Sequence, residues 1–194
     1  MAYNSTTWTT GASTTSVSST NLTLYAYFGA GSGTMANVST GTHVALPFGY
    51  SNTSSLADNF ELGTSTDPST SFTTADGSNT DASIVVPCLW YLPDNIYIDE
   101  IVSIEGAENS ATETTRMHLM SYTFTSGSTS CLTSGAVIAY NADVTNAGSE
   151  QAYKSTWTID TPSVAASKVL VATWRQDDAA NDFSTNIIIK YHLT

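Results

Sequence analysis

Few residues of this chain have types that do chemistry, and their spacing is uninformative for most of it. Three histidines (His43, His118 and His192) and two cysteines (Cys88 and Cys131) stand among 17 acidic and 5 basic residues. A hydrolytic triad needs a histidine beside a nucleophile and an acid, and the sequence has no Gly-x-Ser-x-Gly elbow. With 27 Ser and 32 Thr, a hydroxyl near a histidine carries no information. Satisfied structural histidines are the expectation, and no catalytic residue is assigned. Cys88 lies in an apolar run and Cys131 in a Ser/Thr loop, with no Cys-x-x-Cys and no nearby His pair. No metal or cofactor is therefore expected. The N-terminus MAYNSTTWTT has neither a basic region nor an apolar core, so no export signal is read there and the cysteines are expected as reduced thiols.

The acidic groups Asp99–Glu100, with Glu105 and Glu108 behind, and Asp177–Asp178, with Asp182, could supply the paired carboxylates of glycoside hydrolysis. Neighbours on a strand point to opposite faces, so Asp99 and Glu100 are expected not to line one cleft. DGSNTD (76–81) offers oxygens for calcium but lacks the twelve-residue loop pattern, and an Asx-type turn is expected instead. Trp8, Tyr25, Tyr27, Trp90, Tyr91, Trp157 and Trp174 could form a glycan platform, although most lie in strand patterns that imply core or interface.

Charge narrows the partners. The net charge of -12 repels nucleic acid and anionic membrane surfaces, whose affinity comes from Lys and Arg. No stretch approaches the ~20 apolar residues of a membrane helix. Residues 1–57 carry no charged side chain at all, and all five basic residues follow position 115. An uncharged leader is hard to keep soluble as a free tail. Residues 1–40 are therefore read as an arm docked on a neighbouring subunit, adding one or two strands. Trp8 and the run LTLYAYF (22–28) supply its expected contacts: Leu22, Leu24, Tyr25, Tyr27 and Phe28.

The elements that must position these residues are strands. Helical periodicity is nearly absent, and only 106–115 and 177–182 could hold a turn of helix. In DFSTNIIIKYHLT, Phe183, Ile187, Ile189, Tyr191 and Leu193 share one face, with Ile188 the one apolar exception on the other. KVLVATW (168–174) is apolar on both faces, setting Leu170, Ala172 and Trp174 against Val169 and Val171. NIYIDEIVSIE aligns Ile96, Ile98, Val102 and Ile104, with Glu100 as the break. SIVVPCLWYL (83–92) is interrupted by Pro87, which marks a bulge, edge or strand end. Further candidates are RMHLMSYTF, GAVIAYNAD and AYKSTWTID, with HVALPFGY and STSFTTA weaker. About nine strands from residue 41 onward, without helices between them, predict an all-β antiparallel sandwich over 41–194, jelly-roll-like, with an immunoglobulin-like sandwich as the second choice.

The Ser/Thr/Gly-rich, lysine-free leader and the closing pattern SVAASKVLVATWR…NIIIKYHLT resemble small virion accessory proteins of tailed bacteriophages, particularly marine ones. These are capsid decoration or cement proteins and head or tail fibre modules. The resemblance implies homotrimers at local threefold positions, contacts with a major capsid protein or other virion proteins, a place on the outer surface of the virion, and no catalysis. The competing expectation is a fibre-tip or free carbohydrate-binding module.

Overall fold

The computed structural model describes residues 7–10, 13–16, 22–30, 41–51, 60–74, 85–108, 113–146, 151–177 and 182–194. Among the described residues two open sheets pack face to face, which establishes the expected all-β sandwich. The strands are β1 (Thr7–Thr10), β2 (Ser13–Ser16), β3 (Leu24–Ala30), β4 (Val44–Ala45), β5 (Gly49–Ser51), β6 (Trp90–Tyr91), β7 (Ile96–Glu108) and β8 (Glu113–Phe124). They continue with β9 (Leu132–Tyr140), β10 (Val144–Asn146), β11 (Tyr153–Thr156), β12 (Thr158–Ile159), β13 (Ser163–Val164), β14 (Lys168–Gln176) and β15 (Asp182–Leu193). One sheet has the order β12-β9-β8-β14-β4, with β10 and β6 pairing β8 and β14. The other has the order β11-β7-β15-β3-β5, with β13 pairing β7. Their pairings are antiparallel except β3 with β5. No helix among the described residues is long and apolar enough to cross a membrane.

Alternation decides what each strand buries. Ile187 and Ile189 of β15 sit in the core between the sheets, with Tyr191 and Leu193 packed against it, as the period-2 pattern requires. On β14, Leu170, Ala172 and Trp174 enter that same core. Val169 and Val171 face the opposite way and enter a second core. There, Met120, Tyr122 and Leu132 are covered by Phe60, Leu62 and Phe72 from one loop and by Val85, Cys88 and Leu89 from another. Phe60 and Phe72 meet edge to face at 4.4 Å. A strand apolar on both sides thus implies a layer on both sides, and here the second layer is irregular chain. Each fully buried large side chain contributes about 1.5–3 kcal/mol.

Three expectations are corrected. First, Asp99 and Glu100 are both exposed, while Ile98 and Ile101 on either side are both buried. A β-bulge opposite Lys190/Tyr191 inserts an extra residue and resets the alternation. For the same reason Ile96 and Ile98 point inward while Ile104 is exposed and Val102 half-buried on the outer face, so the four do not share a face. Second, the stretch read as a possible helical turn at 106–115 is strand at both ends, β7 running to Glu108 and β8 starting at Glu113. Third, 69–75 contributes only an isolated bridge between Phe72 and Leu132. Pro87 marks a strand end: it lies in a 3-10 turn, Val86–Cys88, just before β6.

The N-terminal forty residues divide. β3 belongs to the sandwich itself, paired along its length with β15, and its Ala26, Phe28 and Ala30 are core. β1 and β2 pair only with each other as a separate two-stranded sheet, Thr7 opposite Ser16 and Thr10 opposite Ser13.

Candidate functional site

The outer face of the seven-stranded sheet is covered by its own loops, whereas the outer face of the six-stranded sheet is largely open. Register arranges that open face in rows. Tyr25, Lys190 and Glu100 stand side by side in one row. Tyr27, Ile188, Val102 and Thr156 form the next. Gly29, Asn186, Ile104 and Lys154 form the third. Tyr25, Tyr27 and Ile104 are 54%, 45% and 47% exposed, which leaves an aromatic and aliphatic strip on a chain dominated by Thr and Ser. Large exposed apolar side chains in neighbouring positions mark contact surfaces. Two of the five basic side chains, Lys154 and Lys190, stand on this face.

Of the residues expected at an interface, Leu22, Tyr25 and Tyr27 are exposed and Leu24 is half-buried. Phe28 is the exception: it is fully buried between the sheets, edge-on to Phe48 at 5.3 Å. Its alternation with Tyr27 places it on the core side. Trp8 lies on β1, and its side chain is outside the described residues. The expected turn at 76–81 also lies outside them.

The titratable groups gather in three places. At one end of the seven-stranded sheet, His43 and His118 are buried with rings 5.0 Å apart, edge to face. His43 Nε2 donates to the carbonyls of Ser65 and Thr66 at 2.9 and 3.2 Å, and His118 Nε2 approaches Asp67 at 3.5 Å. Burial lowers the pKa of both, that of His118 to about 4, where the neighbouring His43 and Arg116 charges act in the same direction and Asp67 opposes them. Arg116 lies over the Tyr140 ring at 5.5 Å and approaches Asp143 at 3.4 Å. Arg175, directly opposite Arg116 in register, donates from Nε to the Gly41 carbonyl at 2.9 Å.

Between the sheets, the Glu105 carboxylate accepts from Thr115 Oγ1 at 2.7 Å and from Asn141 Nδ2 at 3.4 Å. Asn141 in turn accepts from the Met117 amide at 2.6 Å. Burial raises the Glu105 pKa to about 7, and the Thr115 hydrogen bond opposes the shift. On the surface, His192 Nδ1 is 3.0 Å from Asp99, beside the Tyr97 ring. Both cysteines lie buried in the second core, and burial pushes the Cys88 thiol up to about 12. Such a thiol is inert as a nucleophile.

The buried histidines engage the fold through Nε2 alone, since Nδ1 of both His43 and His118 is buried without a hydrogen-bond partner, so their expected satisfaction is only partial, whereas Glu105 is bonded through both carboxylate oxygens. The exposed strip of Tyr25, Tyr27 and Ile104 lies on the open face of the six-stranded sheet. The signal for this face in the sequence was Ile188, the single apolar residue on a polar face. Asn186 and Gly106 carried no such signal. No family model matches this chain, and no curated protein or solved structure is significantly similar to it.

Proposed function

We propose that this protein is a non-enzymatic structural protein of a virion, a capsid decoration or cement protein that stabilises a phage head through subunit contacts. The observation that carries this reading is the uncharged strand pair β1–β2, which forms a two-stranded sheet of its own. A lone two-stranded hairpin is at best marginally stable in water, so it calls for a partner surface. The exposed Leu22, Tyr25 and Tyr27 follow it in the chain and extend the contact. Hairpin and tyrosine margin together form the anchor, on a major capsid protein or another virion protein, and a homotrimer is the expected assembly. The acidic sandwich faces outward, away from packaged nucleic acid. Specific docking of this kind buries about 1,200–2,000 Å² and raises particle stability by mass action.

Quantitative peptide mass spectrometry on density-banded particles from the source culture tests the reading. A copy number in the hundreds, in fixed ratio to the major capsid protein, is expected. Absence from particles overturns the reading. Removal of residues 1–20 should abolish particle binding while the sandwich stays folded; undiminished binding would refute the anchor.

A further inference from the structure

A shallow cleft of about 510 Å³ opens on the outer face of the six-stranded sheet, at the end away from Tyr25. Its floor is Gly106, where the missing side chain creates the depression: a Cβ there would stand 3.2 Å from the Gln151 carbonyl oxygen. Ile104 and Ala152 give apolar walls, and Ser184 and Asn186 give polar ones. Glu105 and Thr185 also line it, but their side-chain oxygens bond toward the other sheet, to Thr115 and to the Met117 sulfur. They therefore meet the cleft through their backbone. Asn186 Oδ1 is buried and has no hydrogen-bond partner. Such an acceptor carries an uncompensated desolvation cost until a donor reaches it, and the soft terminal torsion of an asparagine lets the amide turn into the cleft.

These features select a ligand class. A cation would want carboxylate oxygens, and the one carboxylate lining the cleft aims away from it. An anion would meet the Asn186 acceptor, and Lys154, which stands beside Ile104 in register, does not line the cleft. An added peptide strand would lie along the outer edge of β11, beside the cleft and not in it, because β7 is already paired on both sides by β11 and β15. What remains is a small neutral molecule with hydroxyl donors and aliphatic C–H surface. The volume lies within the range of small-ligand clefts, about 300–1,000 Å³. We propose that this cleft binds a neutral sugar ring, with Asn186 and Ser184 bonding its hydroxyls and Ile104 and Ala152 contacting its C–H face.

Gly106 and Ile104 of the cleft lie two strands across from β3, and Asn186 lies one strand across, beside Gly29. The inference does not rest on the virion reading and survives its failure.

The test is an amide ¹H–¹⁵N titration of the full chain. The probes are glucose, galactose, mannose and N-acetylglucosamine and their disaccharides, with calcium chloride as a separate arm. At least one sugar should give saturable shifts in the millimolar range, centred on Gly106, Ala152, Ser184 and the Asn186 side-chain amide. Ala152→Trp, at an exposed position, should fill the cleft and weaken binding about tenfold or more with an unchanged melting temperature. Asn186→Leu should weaken the same sugar. Absence of saturable shifts overturns the proposal. So does binding centred on the exposed Phe48 or Tyr91, binding indifferent to both variants, or a response to calcium alone.

Discussion

Glu105 and the histidine pair pull stability in opposite directions along the pH axis. Burial raises the Glu105 pKa from 4.5 to about 7, so the folded protein holds that proton more tightly than the unfolded chain. Its contribution is fully present below about pH 4.5 and is lost as pH rises through about 7. His43 and His118 are lowered from 6.5 by the same physics, so their contribution is present above 6.5 and is lost as pH falls, toward about 4 for His118. The two contributions therefore oppose each other between about pH 4.5 and 6.5, and above 6.5 only the loss from Glu105 continues. In urea unfolding, the stability difference between the parent and Glu105→Gln should shift against the parent by a few kcal/mol between pH 5 and 8, because the glutamine removes the Glu105 contribution and leaves that of the histidines. Equal slopes in the two proteins would show that Glu105 titrates normally in the fold.

At the scale of elements, the question is what each strand rests on. β3 rests on the core, so deletion of residues 1–30 removes Ala26, Phe28 and Ala30 from between the sheets and should unfold the domain. Deletion of residues 1–20 leaves β3 in place. Phe28→Ala, at a site with no exposure, should cost about 3–5 kcal/mol in chemical denaturation. A loss below 1 kcal/mol would mean that β3 is peripheral after all. The second core predicts a different sensitivity. At Gly135, a Cβ would stand 2.5 Å from the Tyr122 ring and 2.8 Å from Thr70 Cα, because loop and strand touch there. The Gly135 amide also donates to the Thr70 carbonyl at 2.8 Å. Gly135→Ala should cost about 1–3 kcal/mol by overpacking. It should also loosen residues 60–74 in hydrogen exchange before the sandwich core responds.

For the whole molecule, asymmetry matters most. Irregular chain covers the outer face of one sheet, whereas the outer face of the other exposes Tyr25, Tyr27 and Ile104, so contact with another molecule there would remove apolar surface from water. Four of the five basic side chains have partners or neighbours within the fold: Arg116 beside Asp143, Arg175 on Gly41, Lys168 on Thr123 Oγ1, and Lys190 opposite Glu100. The remaining acidic surface repels like molecules at low ionic strength. Attachment to a particle through the uncharged hairpin and the tyrosine margin should therefore depend weakly on salt. Release of the protein from particles by salt alone, in a sedimentation assay, would point instead to a charged contact.

The sequence by itself determined the strand content, the inward faces of β14 and β15, and the two-sided burial of β14. Burial in a sheet has a period of two residues, and composition sets how many faces a strand must hide. It also carried a hint of the open face in Ile188, an apolar residue where alternation calls for a polar one. Only the tertiary structure decided the rest. The bulge that turns Asp99 and Glu100 to the same side depends on pairing with a strand some ninety residues further along, which local periodicity does not encode. The division of the leader into a core strand and a separate hairpin depends on which sheet had an edge free for β3. The cleft at Gly106 exists because Ile104 of β7, Asn186 of β15 and Ala152 just before β11 converge around a position without a side chain. Glu105 gave no sign in the sequence of being buried, since its burial rests on Thr115 and Asn141 arriving from the opposite sheet.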